Sequence, residues 1–138
     1  MNNSIKFAIV IFFFLILIFN FSLLRDSSNC SFVQSVNASI AVQEGYRRII
    51  GLNADTDSLR FGIASPQAVV RRTLYVNNAN DAKVNVFMEG DFSDWVTIKP
   101  SEFDLKANKV QEVNFAVKVP DYPNDSDYTG KAVFCFKE

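Results

Sequence analysis

The sequence predicts an all-β chain, a single antiparallel β-sandwich preceded by a hydrophobic N-terminal α-helix. Three observations predict it. From Val36 onward apolar and polar residues alternate with period two, and no helical period occurs after residue 35. The alternating runs are short and are separated by Asn, Asp, Pro and Gly, the residues that turn a chain. The one long unbroken apolar run lies before residue 25.

That run, residues 7–24 (FAIVIFFFLILIFNFSLL, from Phe7 to Leu24), carries no charge and only Asn20 and Ser22 as polar side chains. As a helix it would be about 27 Å long, enough to cross the hydrocarbon core of a bilayer. It is expected to be a membrane-directed segment, either a retained anchor or a cleaved signal. The apolar stretch runs past the usual signal length, and the nearest small-residue cleavage patterns, Val36-Asn37-Ala38 and Ser39-Ile40-Ala41, lie far downstream, which favours retention. Cys30 lacks a leucine three positions before it, so lipidation is the weakest of the three alternatives. The charge bias that orients such a helix is small, Lys6 before it and Arg25 after it. Asn-x-Ser sequons at Asn29, Asn37 and Asn124 all follow the helix and lean toward an extracytoplasmic C-terminal domain, as glycosylation sites there.

Residues 25–35 are polar and aperiodic at first and read as a linker; residues 36–138 form the domain, whose part best matched by the resemblance given below is 53–137. Strands are expected over 35–42, 48–53, 58–63, 68–77, 82–89, 95–99, 102–106, 109–119 and 128–137. The clearest is 109–119, where Val113, Phe115, Val117 and Val119 alternate with polar or small residues. The cluster from Asn77 to Asp81 is expected to close a hairpin between its flanking strands. So many short strands in about 100 residues make an immunoglobulin-like Greek-key sandwich the economical arrangement.

Charge and residue inventory narrow the function. With 14 Lys+Arg against 15 Asp+Glu, no basic stripe is available for a phosphate backbone, and nucleic acid is not an expected partner. There is no histidine, so the usual general base and the commonest transition-metal ligand are both missing. No enzyme activity and no cofactor are expected.

Several residues are candidates for a site. Asn53, Asp55 and Asp57 in one loop, and Asp121, Asn124, Asp125 and Asp127 in another, place several oxygen ligands close together, as a weak calcium site would. Neither has the turn glycine and bidentate Glu of an EF-hand, and solvated turns account for both. Trp95 suits a ligand platform or core packing; Tyr46, Tyr75 and Tyr122 lie in more polar surroundings, where exposed rings would bind sugar or protein. Arg71 and Arg72, adjacent in a strand, should face opposite sides, and Arg47-Arg48 would suit anionic headgroups or plain solvation. Cys30 and Cys135 admit an intramolecular bridge, two free thiols or an intermolecular bond.

The series Leu59-x-Phe61-Gly62, Ser65-Pro66, Arg72-x-Leu74-x-Val76-x-Asn78, Trp95-Val96-x-Ile98-x-Pro100, Phe103-x-Leu105, Val117-x-Val119-Pro120 and Tyr128-x-Gly130 resembles the immunoglobulin-like surface domains of prokaryotes. These are the NEW3-type modules found beside carbohydrate-active enzymes and in archaeal envelope proteins; the opening portion is also similar to the ASPM–SPD-2–Hydin type. The chain departs from that pattern at Pro66-Gln67 and at Lys106-Ala107-Asn108-Lys109, where the family has glycine-containing turns. The resemblance implies the fold and an extracytoplasmic setting in a prokaryotic, foremost an archaeal, envelope; it carries over no catalytic residue. The expected function is a membrane-anchored, non-catalytic binding or scaffolding module of a cell envelope with an unidentified envelope protein partner. The alternatives are a subunit of a surface filament or secretion complex, and a carbohydrate-binding module.

Overall fold

A computed structural model of the chain describes residues 30–45, 57–121, 123 and 127–138. Eight strands run through them: β1 (Phe32–Val42), β2 (Ser58–Ala64), β3 (Val69–Asn77), β4 (Ala82–Gly90), β5 (Val96–Lys99), β6 (Glu102–Leu105), β7 (Val110–Lys118) and β8 (Asp127–Lys137). A single 3-10 turn, Ser93–Trp95, precedes β5, and there is no α-helix among the described residues. The predicted 7–24 helix and the predicted 48–53 strand lie outside the described residues, as does the 25–29 part of the linker. No helix among the described residues is long and apolar enough to cross a membrane.

The strands form two sheets that pack as a sandwich, in the orders β2-β1-β8-β4-β6 and β3-β7-β5. Period-two patterning gives each sheet one apolar face, and those faces meet. Ala38, Ile40 and Val42 from β1, Leu59 and Phe61 from β2, Val84 and Val86 from β4, and Phe134 and Phe136 from β8 face Val70, Leu74, Val113, Phe115 and Val117 of the smaller sheet. Phe115 and Phe134 meet edge to face across the interior at 6.3 Å, and Phe61 and Phe92 do so at 6.0 Å. No polar or charged residue is buried among the described residues, so the interior is held by apolar burial, about 2–3 kcal/mol for each large side chain.

Three features depart from the sequence expectation. First, β1 begins at Phe32, ahead of its clear alternation, because its opening residues pair with the end of β8: Phe32 with Phe136 and Val33 with Cys135. Second, the sandwich is not wholly antiparallel: β1 lies antiparallel to β8 but parallel to β2, from Asn37 beside Ser58 to Val42 beside Ala64. Its register slips between Ser39 and Ile40, leaving Phe61 as the extra residue of a bulge next to Gly62, whose φ is 81°. Third, Asn77–Asp81 is not a hairpin, since β3 pairs with β7 while β4 pairs with β8 and β6. Turn-forming side chains specify that the chain reverses, not that the flanking strands pair; here the chain crosses between sheets. That corner is fastened by the Asp81 carboxylate, which accepts bonds from Ala107 N at 2.8 Å and Lys106 Nζ at 2.8 Å.

The turns at Gln67 and Asn108 both carry a positive φ, 67° and 59°. Asn tolerates that region through local hydrogen bonding; Gln does so at a cost of about 1 kcal/mol.

Candidate functional site

An open groove of about 730 Å³ lies on the outer face of the five-stranded sheet. Strand pairing builds it in two rows. One runs Ser58, Asn37, Lys131, Glu89 across β2, β1, β8 and β4; the next runs Arg60, Ser39, Thr129, with Asp91 beyond. Alternation puts these side chains outward because Leu59, Ala38, Ala132 and Met88 on the same strands turn inward.

The floor is set by two glycines. A Cβ on Gly90 would come within 2.5 Å of Gly130 Cα, and one on Gly130 within 2.6 Å of Glu89 O. Neither position tolerates a side chain without moving backbone, so the glycine pair lets β4 and β8 approach and leaves the concavity above them. Asp91 fixes the rim, its carboxylate accepting from both the Thr129 amide and the Thr129 hydroxyl at 3.1 Å. The Ser58 hydroxyl oxygen is shielded and has no hydrogen-bond partner among the described residues.

Chemically the groove is polar and mixed in charge, with Arg60 and Lys131 against Asp57, Glu89 and Asp91. Among the described residues no aromatic ring lines it. It offers hydrogen-bonding groups and charges of both signs on one surface.

The predicted site residues fall partly outside the described residues. Asp121 is exposed after β7, Asp127 opens β8 beside Ala41, and Asn124 and Asp125 lie outside the described residues. No group of three acidic, His or Cys side chains stands together as a metal site among the described residues. Asn37 is exposed at the middle of β1, inside the groove; Asn29 and Asn124 lie outside the described residues. Trp95 ends the 3-10 turn instead of opening a strand, and packs half-buried against Tyr128 at 4.5 Å and Phe92 at 6.3 Å. Tyr75 is 70% exposed on the outer face of the smaller sheet, while Tyr46, Tyr122, Arg47 and Arg48 lie outside the described residues.

The arginine pair divides as its strand position requires. Arg71 is exposed; Arg72 reaches across to the other sheet and donates to the β2 carbonyls Arg60 O at 2.9 Å and Phe61 O at 3.4 Å, and to Arg71 O at 2.7 Å. Partial burial lowers the Arg72 guanidinium from its usual range, far too little to discharge it. It clips the β2 edge at its bulge to β3.

The cysteines form one intramolecular disulfide, Cys30 to Cys135, with Cα atoms 5.3 Å apart. Of the three readings open in the sequence, the structure selects the bridge within the chain. Cys135 alternates with Phe134 and Phe136 and so lies on the opposite face of β8, where it is fully buried.

No family model matches the chain, and no curated protein or solved structure matches it.

The groove is not visible in the sequence because its rows come from four strands spread between residues 37 and 131. Its sequence signal is a pair of glycines, Gly90 directly after the predicted 82–89 strand and Gly130 inside the predicted 128–137 strand.

Proposed function

We propose that this chain is an extracytoplasmic, immunoglobulin-like binding module held at a membrane by its apolar segment, residues 7–24. The observation that carries the reading is the Cys30–Cys135 disulfide, whose first cysteine follows that segment by a few residues and whose second is fully buried. Structural disulfides persist in oxidising compartments, and an apolar leader is the route to one. With Cys30 tied to β8, only the five residues 25–29 separate the leader from the fastened domain, a reach of about 17 Å when extended.

The immunoglobulin-like assignment is supported by strand order. In that fold one sheet contains the sequence C, F, G with an edge strand parallel to G, and the other contains B, E, D. Here β4, β8 and β1 take the places of C, F and G, β2 is the parallel neighbour, and β3, β7 and β5 stand as B, E and D. The N-terminal strand therefore occupies the place of the last one. The groove then serves as the contact surface for a polar segment of an envelope protein, with Arg60, Lys131 and Glu89 as paired-charge contacts, and the module works by binding, without turnover.

Protease treatment of intact cells, followed by intact-mass analysis of the membrane-extracted chain, tests the reading. The expected result is loss of the domain from the outside and a mass short by two hydrogens for the disulfide. A chain found in cytosol with both cysteines reduced would overturn it.

A further inference from the structure

We propose that the end of the sandwich nearest Cys30 is a lipid-contacting surface, which seats Phe32, Val33 and Val110 in the interfacial layer of the membrane that the 7–24 segment enters. The inference rests on the membrane-held reading above and adds to it a second contact, made by the folded domain itself.

Strand register defines this end. β1 starts with Phe32 opposite Phe136 near the close of β8, and Lys83 near the start of β4 lies opposite Lys137. In the smaller sheet Asn77, the last residue of β3, pairs with Val110, the first of β7. Hydrogen bonds join the pieces across the end. Glu138 N donates to Ser31 Oγ at 3.2 Å, the Asn78 and Asn80 side-chain amides donate to Glu138 Oε1 at 3.3 Å, and Asn108 N donates to Asn78 O at 2.8 Å. The start of β1, the corner after β3, the turn before β7 and the close of β8 therefore make one surface.

The exposed apolar side chains gather there. Six large ones stand exposed among the described residues, and four belong to this end: Phe32 (56%), Val33 (52%), Val110 (63%) and Tyr75 (70%). The other two are less exposed and lie elsewhere, Val69 at the opposite end of β3 and Phe87 midway along β4. Exposed apolar residues are ordinary when scattered; their concentration on one surface marks a contact. Tyr75, two residues before the last of β3, has the amphipathic ring that suits headgroup level. Charges at this end largely cancel: Lys83 and Lys106 pair with Glu102 and Asp81, and Lys109 and Lys137 stand against Asp104 and Glu138. Apolar burial, not attraction to anionic headgroups, drives the contact.

The occupant follows from where the chain leaves the domain. Cys30 is bonded to Cys135, one residue from Phe136 at this same end, and the residues 25–29 then lead to Leu24. That link spans at most about 17 Å. The headgroup layer takes up roughly 5–7 Å of it. The surface bearing Phe32 and Val110 is thus held within about 10 Å of the headgroups, closer than any other part of the domain. Seating it stands the sandwich upright. Asn37 and Ser39 lie further along β1 from Phe32 by about 17 and 23 Å, so the groove stays clear of the headgroups and opens along the membrane plane.

The test uses the full chain reconstituted in phosphatidylcholine vesicles, with and without brominated acyl chains, which quench tryptophan on contact. Trp95, the sole tryptophan, is replaced by Trp95→Phe, which keeps a ring against Tyr128; one tryptophan is then placed by Phe32→Trp, Val110→Trp or Val69→Trp, all at exposed positions. Emission from Phe32→Trp and Val110→Trp should shift to the blue and be mostly lost in brominated vesicles, and that from Val69→Trp should do neither. No quenching at Phe32→Trp and Val110→Trp, or equal quenching at all three positions, overturns the proposal. A blue shift without quenching means that protein covers this end, whether a second copy or the chain's own residues, and overturns it too. A chain that does not float with the vesicles strikes the membrane-held reading itself, and the lipid seat falls with it. The unsubstituted chain gives a second readout: phosphatidylcholine with a photoreactive group near its glycerol should crosslink to peptides containing Phe32 and Val110, whereas crosslinks confined to residues 7–24 overturn the seat.

Discussion

The two sheets are built from the same kind of strand but by different routes. The three-stranded sheet draws β3, β5 and β7 from one span of the chain, 69–118, and has no covalent fastening. The five-stranded sheet depends on β1, which must return from the N-terminus to lie between β2 and β8, and is stapled there by the disulfide. The smaller sheet is secured by packing and hydrogen bonds without a covalent link, whereas the larger has a stapled seam. The difference teaches that in this sandwich the covalent link sits where the most distant pairing has to be held.

The largest expected effect breaks the seam from inside. Ile40→Asp puts a carboxylate at a position only 2% exposed and should cost about 4 kcal/mol or more, whereas Asp at the neighbouring outward Ser39 should cost little; urea melts of the two variants compare them directly. Next is the staple. Replacing both Cys30 and Cys135 with Ser should lower stability by about 2–5 kcal/mol. In that variant, hydrogen exchange should rise first at β1 and its partners on β2 and β8, while amides of the β3–β7 ladder stay protected; equal loss in both sheets would erase the contrast between them.

Gly130→Ala should cost about 2–3 kcal/mol, because its Cβ meets Glu89 O at 2.6 Å, and should narrow the groove; thermal melts report the first and a crystal structure the second. Arg72→Met removes the clip between the sheets but keeps the side chain's apolar length. A loss of about 1 kcal/mol is expected, read as a lower urea midpoint.

The smallest effect concerns the β3–β4 corner. Lys106 and the Ala107 amide hold the Asp81 carboxyl below its usual value. A carboxyl depressed on folding stabilises the native state above its unfolded value near 3.8, and that contribution fades as pH falls through the lower folded value. Asp81→Asn should therefore melt slightly earlier than the parent above about pH 5, by a difference that shrinks as pH falls below 3.8 and that salt reduces.

Most of the strand inventory is legible in the sequence. β7 appears almost as the alternation of Val113, Phe115 and Val117 predicts, and β2, β3, β4 and β8 lie within a few residues of their expected bounds. Pairing is less legible. The Asn77–Asp81 cluster suggests a hairpin and proves to be a crossing between sheets, because period and turn chemistry act over a few residues whereas partner choice is made across the whole interior. The groove is hidden for the same reason: Asn37, Arg60, Glu89 and Lys131 are ordinary outward positions until four strands align them.

Sequence alone determined which residues of each strand turn inward, where the chain must turn, and that two cysteines were available, since these follow from local periodicity and side-chain chemistry. The parallel placement of β1 beside β2, the cysteine pairing and the polar groove were decided only by the tertiary structure. The physical reason is that a strand's unpaired backbone specifies a need for neighbours without naming them, and the choice falls to whichever arrangement buries the apolar faces of all the strands together.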